Sequence, residues 1–237
     1  MIEIVLATSN PHKIEEMNAI FAGLNRSDVR FISLSGACPG VTLVEPAETG
    51  TTFEANATIK ALSYAEQTGR LCLADDSGLE IDALGGRPGV ISSHYCTDGR
   101  EVGMCRAERD AANNARVLRE MEGVPDEKRT ARFVCVMVLA GVSSTPMGYP
   151  FVSGGWKSFG YRPEACTTIF SRGTFEGRLG RSLQGHGGFG YDPLFLVGPE
   201  FTRTTSELPP GEKNRLSHRG FAARELAIAL GNLSEIG

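Results

Sequence analysis

Residues 2–8 are apolar with few polar interruptions, the pattern of a strand buried on both faces. The run breaks at Ser9-Asn10-Pro11, where Asn10 suits an N-cap and Pro11 the first helical position. Ile14, Met17 and Phe21 then recur at i, i+3 and i+7 until Gly23, so a strand followed by an amphipathic helix is predicted. Two short strands are expected within 31–45, around Gly36 and Gly40. Thr51-Thr52-Phe53-Glu54 is a capping-box signature, with Glu54 as a cap, opening a second helix that runs to about Gln67. Ala55, Ile59 and Leu62 are expected on its core face. Leu71-Cys72-Leu73-Ala74 reads as a short strand ending in the turn Asp75-Asp76-Ser77-Gly78. Leu79, Ile81 and Leu84 carry the core on to a second turn, Gly85-Gly86-Arg87-Pro88-Gly89.

Helical spacing returns over 106–121, with Ala111, Leu118 and Met121 pointing inward. Residues 131–142 form the most apolar stretch and are expected at the centre of a sheet. Residues 143–166 contain Pro146, Pro150, Gly154 and Gly155 and read as an irregular insertion. Further strands are expected at 167–171, 174–179 and 194–197, and a last helix from 219 to about 230 with Gly231 just past its end. Helices and strands intermingle with no repeat and no linker, which predicts an α/β fold built on a large sheet. A chain of 237 residues suits one large domain, 1–237, or two small lobes.

Composition narrows the partners. The apolar fraction of 41% and charged fraction of 22% are those of a globular protein and exclude disorder or coiled coil. The 29 glycines follow no Gly-X-Y period, so the surplus belongs in turns and ligand loops. A net charge of −4 without any Lys/Arg run argues against nucleic acid and leaves a small anion open. The longest apolar run, Phe133 to Val142, falls short of the ~18 residues of a membrane helix, and the N-terminus lacks the basic segment of a signal peptide. The cysteines Cys38, Cys72, Cys96, Cys105, Cys135 and Cys166 show no zinc-ligand spacing and read as buried free thiols in a reducing compartment, so a cytoplasmic location is expected.

Three clusters carry candidate chemistry. The strand-to-helix junction Thr8-Ser9-Asn10-Pro11-His12-Lys13 offers backbone N–H groups and a lysine to an anion, although the turn alone is explained as an ordinary capped one. Asp75-Asp76 brings two carboxylates together, suited either to Mg²⁺ or to a polar turn, with Glu48 a further acidic candidate and Lys60 one turn beyond Asn56. The loop Gly187-Gly188-Phe189-Gly190-Tyr191-Asp192-Pro193 suits stacking of a flat ring, and Lys213, Ser217, His218 and Arg219 place donors at the start of the last helix.

Taken in order, these segments resemble the Ham1/inosine triphosphate pyrophosphatase family. The matching pieces are Ala7-Thr8-Ser9-Asn10 with Lys13, Glu48-Thr49-Gly50, Thr52-Phe53-Glu54-Ala55-Asn56-Ala57 with Lys60-Ala61, and Ala74-Asp75-Asp76-Ser77-Gly78-Leu79. Gly188-Phe189-Gly190-Tyr191-Asp192-Pro193 and Ser217-His218-Arg219-Gly220 complete the set. The resemblance implies a long mixed sheet flanked by helices in two lobes around a cleft, a homodimer, and Mg²⁺-dependent hydrolysis of ITP, dITP or XTP to the monophosphate and pyrophosphate. It implies triphosphate contacts from Asn10, Lys13 and Lys60, a catalytic part for Lys60, and substrate binding by Thr8, Ser9 and Ser77. It assigns Mg²⁺ to Glu48 and Asp76, the attacking water to Asp76 and a supporting role to Asp75. Phe189 would stack on the base, with Gly190, Tyr191, Asp192, Lys213, Ser217, His218 and Arg219 around its edge. Two departures stand out: Ser92-Ser93-His94-Tyr95 where many bacterial members read Ser-Ala-Arg-Tyr, and a longer 143–166 stretch. A Maf-type pyrophosphatase and a non-catalytic nucleotide sensor are the competing readings.

Overall fold

The structure, a computed structural model, describes residues 1–8, 11–142 and 166–234. The chain runs β1 (Ile2–Leu6), α1 (Pro11–Gly23), β2 (Val29–Ser33), α2 (Leu34–Ala37), α3 (Phe53–Thr68), β3 (Cys72–Ile81), α4 (Arg106–Glu120), β4 (Thr130–Val142), β5 (Cys166–Leu179), β6 (Phe195–Val197), α5 (Pro210–Leu216) and α6 (His218–Ser234). Six strands form one mixed sheet in the order β2-β1-β3-β4-β5-β6. β1 is parallel to both β2 and β3, while β5 and β6 are antiparallel. The expected α/β class with a large sheet is the observed one. Packing divides the chain into two compact units, Met1–Asp76 with Val136–Gly173 and Gly220–Gly237, and Ser77–Cys135 with Thr174–Arg219.

In the first unit, α1 starts at Pro11 and ends at Gly23 as the pattern predicts, burying Met17 and Phe21. Phe21 meets Phe31 of β2 edge-on, with centroids 4.8 Å apart. The Asn18 side chain accepts the N–H of Phe31 and donates to its carbonyl, fastening helix to strand. Residues 31–45 hold one strand and not two. After β2, the Ser33 hydroxyl accepts the Gly36 N–H and starts the single turn of α2, so the chain leaves the sheet. α3 has the expected extent, but its core face is rotated: Phe53, Asn56, Ala57, Ala61, Tyr64 and Ala65 are buried, and Ala55, Ile59 and Leu62 are only half-buried. The alanines allow close approach, which a reading weighted toward large side chains misses. Thr52 caps this helix through the Ala55 N–H, while Glu54 pairs with Arg172 and is no part of a capping box.

β3 differs most from expectation. It continues for ten residues through Asp75-Asp76-Ser77-Gly78, where a turn is predicted, because it lies between β1 and β4 and the sheet satisfies its backbone. β5 is likewise one strand of 14 residues in place of two. β4 is the central, most buried strand, as predicted. α6 begins at His218 and passes through Gly231 to Ser234; a Cβ on Gly231 would lie 3.1 Å from the Arg26 guanidinium, which donates to the Ala227 carbonyl.

The core of the second unit gathers Leu79, Ile81, Tyr95, Val117, Met121, Phe133, Phe175, Tyr191 and Phe195. On α4, Ala111 is exposed and Leu118 half-buried, while Asn113 and Asn114 are buried. Asn113 accepts the Cys96 N–H and donates to the Ser92 and Ser93 carbonyls, so a polar side chain occupies a core position by closing a hydrogen-bond set. Of the cysteines, Cys72 and Cys135 are buried free thiols, Cys38 and Cys96 are half-buried and Cys105 is exposed. Ser9 and Asn10, and the expected insertion up to residue 165, lie outside the described residues.

Candidate active site

The strand order β2-β1-β3 creates a switch point, since β1 is followed by a strand on one side and later flanked by β3 on the other. In parallel α/β sheets such a point leaves a crevice beyond the carboxyl end of the strand. β1 pairs with β3 at Val5↔Cys72 and Leu6↔Leu73 and then ends, while β3 continues through Asp75 and Asp76. Thr8 lies immediately past the end of β1, its N–H donating to the Leu6 carbonyl.

Successive residues of a strand face opposite sides. The two carboxylates are therefore separated, each against its own cation. The Lys13 ammonium, from α1, donates to both Asp75 oxygens at 2.9 and 3.1 Å. The Lys60 ammonium, from α3, donates to Glu48 at 3.1 Å and lies 3.5 Å from Asp76 Oδ1. Glu48 is set by the turn ahead of α3, where the Gly50 N–H donates to Asn56 Oδ1 at 2.8 Å. Any Cβ at Gly50 would come within 2.6 Å of that oxygen and of the Ala55 Cβ, so only glycine lets the turn close. Asn56 holds this turn, a part that its helical spacing does not single out.

Asp76 is held in an unfavourable state. Burial pushes its carboxyl up to about 6, Lys60 offsets part of the rise, and Glu48 adds to it. Its Oδ2 is buried and accepts no hydrogen bond among the described residues. Burial also disfavours the Lys60 charge, but Asp76, Glu48 and Asp75 outweigh it and hold the ammonium above the ordinary lysine value. A buried carboxylate oxygen without a donor, beside a second carboxylate on a shared lysine, is what a hard divalent cation with phosphate and water ligands requires. Among the described residues no cluster of three or more His, Cys, Asp or Glu forms a protein-only metal cage.

The second unit contains the Gly-rich loop. Asp192 organises it: Oδ2 accepts the Phe189 N–H at 2.8 Å and the Lys213 ammonium at 2.5 Å, and Oδ1 accepts the Thr205 hydroxyl at 2.9 Å. Gly188, at φ +80°, packs so closely that a Cβ would lie 2.2 Å from Asp192 Oδ2. Phe189 remains 51% exposed, within 4.7 Å of the Arg106 guanidinium carbon and 5.1 Å of the Lys213 ammonium. Tyr191 is different from its neighbours: its ring is buried in the core and its hydroxyl donates to the Ser92 carbonyl at 2.7 Å, so it anchors the loop. Ser217 ends α5 with its N–H on the Lys213 carbonyl, the His218 ring stacks on Phe133 with centroids 5.1 Å apart, and Arg219 is buried. Ser77, half-buried in β3, also falls in this unit. His94 fills the position of the usual arginine; its Nε2 lies 2.9 Å from Glu101 and 3.1 Å from Arg109, and its Nδ1 lies 2.9 Å from the Ser93 hydroxyl.

The Ham1 family model matches residues 4–229. The chain belongs to the Ham1 family. A dITP/XTP pyrophosphatase of Desulforamulus reducens is 41% identical over 98% of this chain and 97% of its own, and one of Nitratidesulfovibrio vulgaris is 42% identical over 94% and 93%. Among solved structures, a HAM1 protein from Coxiella burnetii superposes with a TM-score of 0.74 at 37% identity, covering 98% of this chain and all of that one. The Ham1 protein of Staphylococcus aureus gives 0.72 at 31% identity, covering 97% and 98%. The sheet order and helices described above are therefore those of a Ham1 fold.

Proposed function

We propose that the protein is a nucleoside triphosphate pyrophosphatase that hydrolyses purine nucleoside triphosphates with a deaminated base (ITP, dITP, XTP) to the monophosphate and pyrophosphate. The observation that carries this reading is the Asp76 carboxylate, buried with an idle oxygen and flanked by Lys60 and Glu48, in a chain about as long as its dITP/XTP pyrophosphatase relatives.

Attack at the α-phosphorus expels a highly charged leaving group, so the reaction is governed by cations and by the placing of a water. Lys13 and Lys60, with Thr8, Ser9, Asn10 and Ser77, are the groups assigned to the triphosphate. Glu48 and Asp76 would hold Mg²⁺, which supplies Lewis-acid stabilisation of the phosphate oxygens when bound. Asp76 is also assigned the attacking water, which its carboxylate would orient by accepting a hydrogen bond. Asp75 acts through Lys13, fixing the ammonium by a two-oxygen contact.

Base recognition is assigned to Phe189 as the stacking surface, with Gly190, Asp192, Lys213, Ser217, His218 and Arg219 at the edge. Donors there match the 6-carbonyl of hypoxanthine and xanthine, and the 6-amine of adenine leaves them unpaired. Tyr191 belongs to the loop's support. The same reading extends to a homodimer in the cytoplasm; no described helix is long and apolar enough to cross a membrane, and burial pushes the Cys72 thiol up to about 11, inert in a reducing compartment.

The test is pyrophosphate release with Mg²⁺ across ITP, XTP, dITP, GTP, ATP, UTP and dTTP. Preference for the deaminated purines is expected. Preference for pyrimidines would move the protein to the Maf-type reading, and binding without turnover would make it a sensor.

A further inference from the structure

α4 carries Arg106, Asp110 and Asn114 at i, i+4 and i+8, a single stripe along one face of the helix. All three reach the same two residues of the Gly-rich loop. The Arg106 guanidinium lies over the Phe189 ring, 4.7 Å from its centroid. Asp110 Oδ2 accepts the Gly190 N–H at 2.9 Å, and Asn114 Nδ2 donates to the Gly190 carbonyl at 2.8 Å. The first two members are tied to each other, Arg106 Nε lying 3.9 Å from Asp110 Oδ2.

This arrangement does more than serve the helix. Asn114 is 3% exposed, and asparagine is a weak helix former whose burial is unfavourable unless its amide is engaged. Its amide donates to the Asp110 carbonyl one turn back and to the loop. Phe189, for its part, is half exposed and lacks the packing that orients a core ring. Its own N–H is fixed by Asp192, and both hydrogen-bonding groups of the next residue are fixed by α4. With the Arg106 guanidinium over the ring as well, this stripe holds both the loop backbone and the aromatic plane, to which Lys213 adds a second cation contact.

We propose that Arg106, Asp110 and Asn114 are positioning residues that hold the Phe189 ring at the angle required to stack a purine base, so that α4 tunes affinity for the base. The proposal rests on Phe189 being the base platform. It assigns the three residues no part in phosphate chemistry.

The experiment compares Arg106→Ala, Arg106→Lys, Asn114→Ala and Phe189→Ala by steady-state kinetics on ITP, together with inhibition by inorganic tripolyphosphate, which has phosphates and no base. Arg106→Ala is expected to raise KM about two- to fivefold at nearly constant kcat, with most of the loss recovered in Arg106→Lys. Asn114→Ala is expected to raise it about five- to tenfold. Tripolyphosphate inhibition stays at the wild-type level in all of them. In the Phe189→Ala background, Arg106→Ala adds nothing further, since it acts through the ring. If Phe189→Ala leaves KM for ITP unchanged, the platform reading itself falls. If Phe189→Ala raises KM but Arg106→Ala and Asn114→Ala do not, the platform stands and the clamp is overturned. Additive effects in the double variant, or a parallel loss of tripolyphosphate affinity, overturn it too. Should Asn114→Ala not fold, the exposed Arg106 decides the matter.

Discussion

Asp76 combines two demands that pull against each other. Its carboxylate is buried next to Glu48, and one oxygen has no donor, so the ionised form is disfavoured. The sign follows from the raised value: the folded state holds the proton more tightly than the unfolded chain, so this group favours folding below pH ~4 and that contribution is lost as pH rises through about 6. Asp76→Asn removes the conflict. We expect the variant to lose turnover yet to gain up to about 3 kcal/mol over the ligand-free wild type at pH 7, with the gain shrinking toward pH 4. Urea unfolding at the two pH values measures it; an unchanged difference, or full activity in the variant, would refute the assignment. Mg²⁺ bound as proposed would relieve the same conflict by a different route. Millimolar Mg²⁺ should raise the melting temperature of the wild type and leave that of Asp76→Asn unmoved.

At the scale of elements, β3 shows where local chemistry and tertiary context part. Asp-Asp-Ser-Gly is good turn chemistry, and nothing in those four residues announces a strand; the ladders of neighbouring strands impose one. The helix periodicity at α1 was legible because Met17 and Phe21 are large, apolar and buried. It failed at α3, where alanines form the contact, and at α4, where asparagines occupy core positions and read as a solvated face. The same reason hid the clamp: Asp110 and Asn114 make sense only once the loop some 80 residues away is in place. Asn113→Ala therefore has a cost that its helix propensity conceals. It leaves the Cys96 N–H and the Ser93 carbonyl without this partner, while the Ser92 carbonyl keeps the Tyr191 hydroxyl, and we expect about 2–3 kcal/mol of destabilisation despite alanine being the better helix former. Chemical denaturation of the variant checks this, and a neutral or stabilising result would show that those backbone groups find other partners.

For the molecule as a whole, the motifs in order pointed to the family, and their chemistry to a polyanionic ligand despite a net charge of −4. The pairings within the site were not legible. Lys13 meets Asp75 across 62 positions of sequence, and the two adjacent aspartates turn out to answer to different helices. No spacing rule reports this, because it depends on which face of the sheet each helix covers. The overall acidity is likewise no measure of the site, where two lysines offset two of three carboxylates.

The placing of Asp75 and Asp76 inside an interior strand has a consequence for motion. Site residues commonly sit on loops that open locally, whereas these two are carried by a ten-residue strand that β1 flanks as far as Leu73 and β4 flanks on the other side. Amide hydrogen exchange should therefore find the backbone of 74–77 among the slowest in the protein, close to the global unfolding limit, while 187–190 exchanges orders of magnitude faster. Exchange of 74–77 at loop-like rates would show the strand to be frayed. If the expectation holds, the part of the molecule we propose for the phosphates is its most persistent one, and whatever breathing accompanies turnover belongs to the segment we propose for the base.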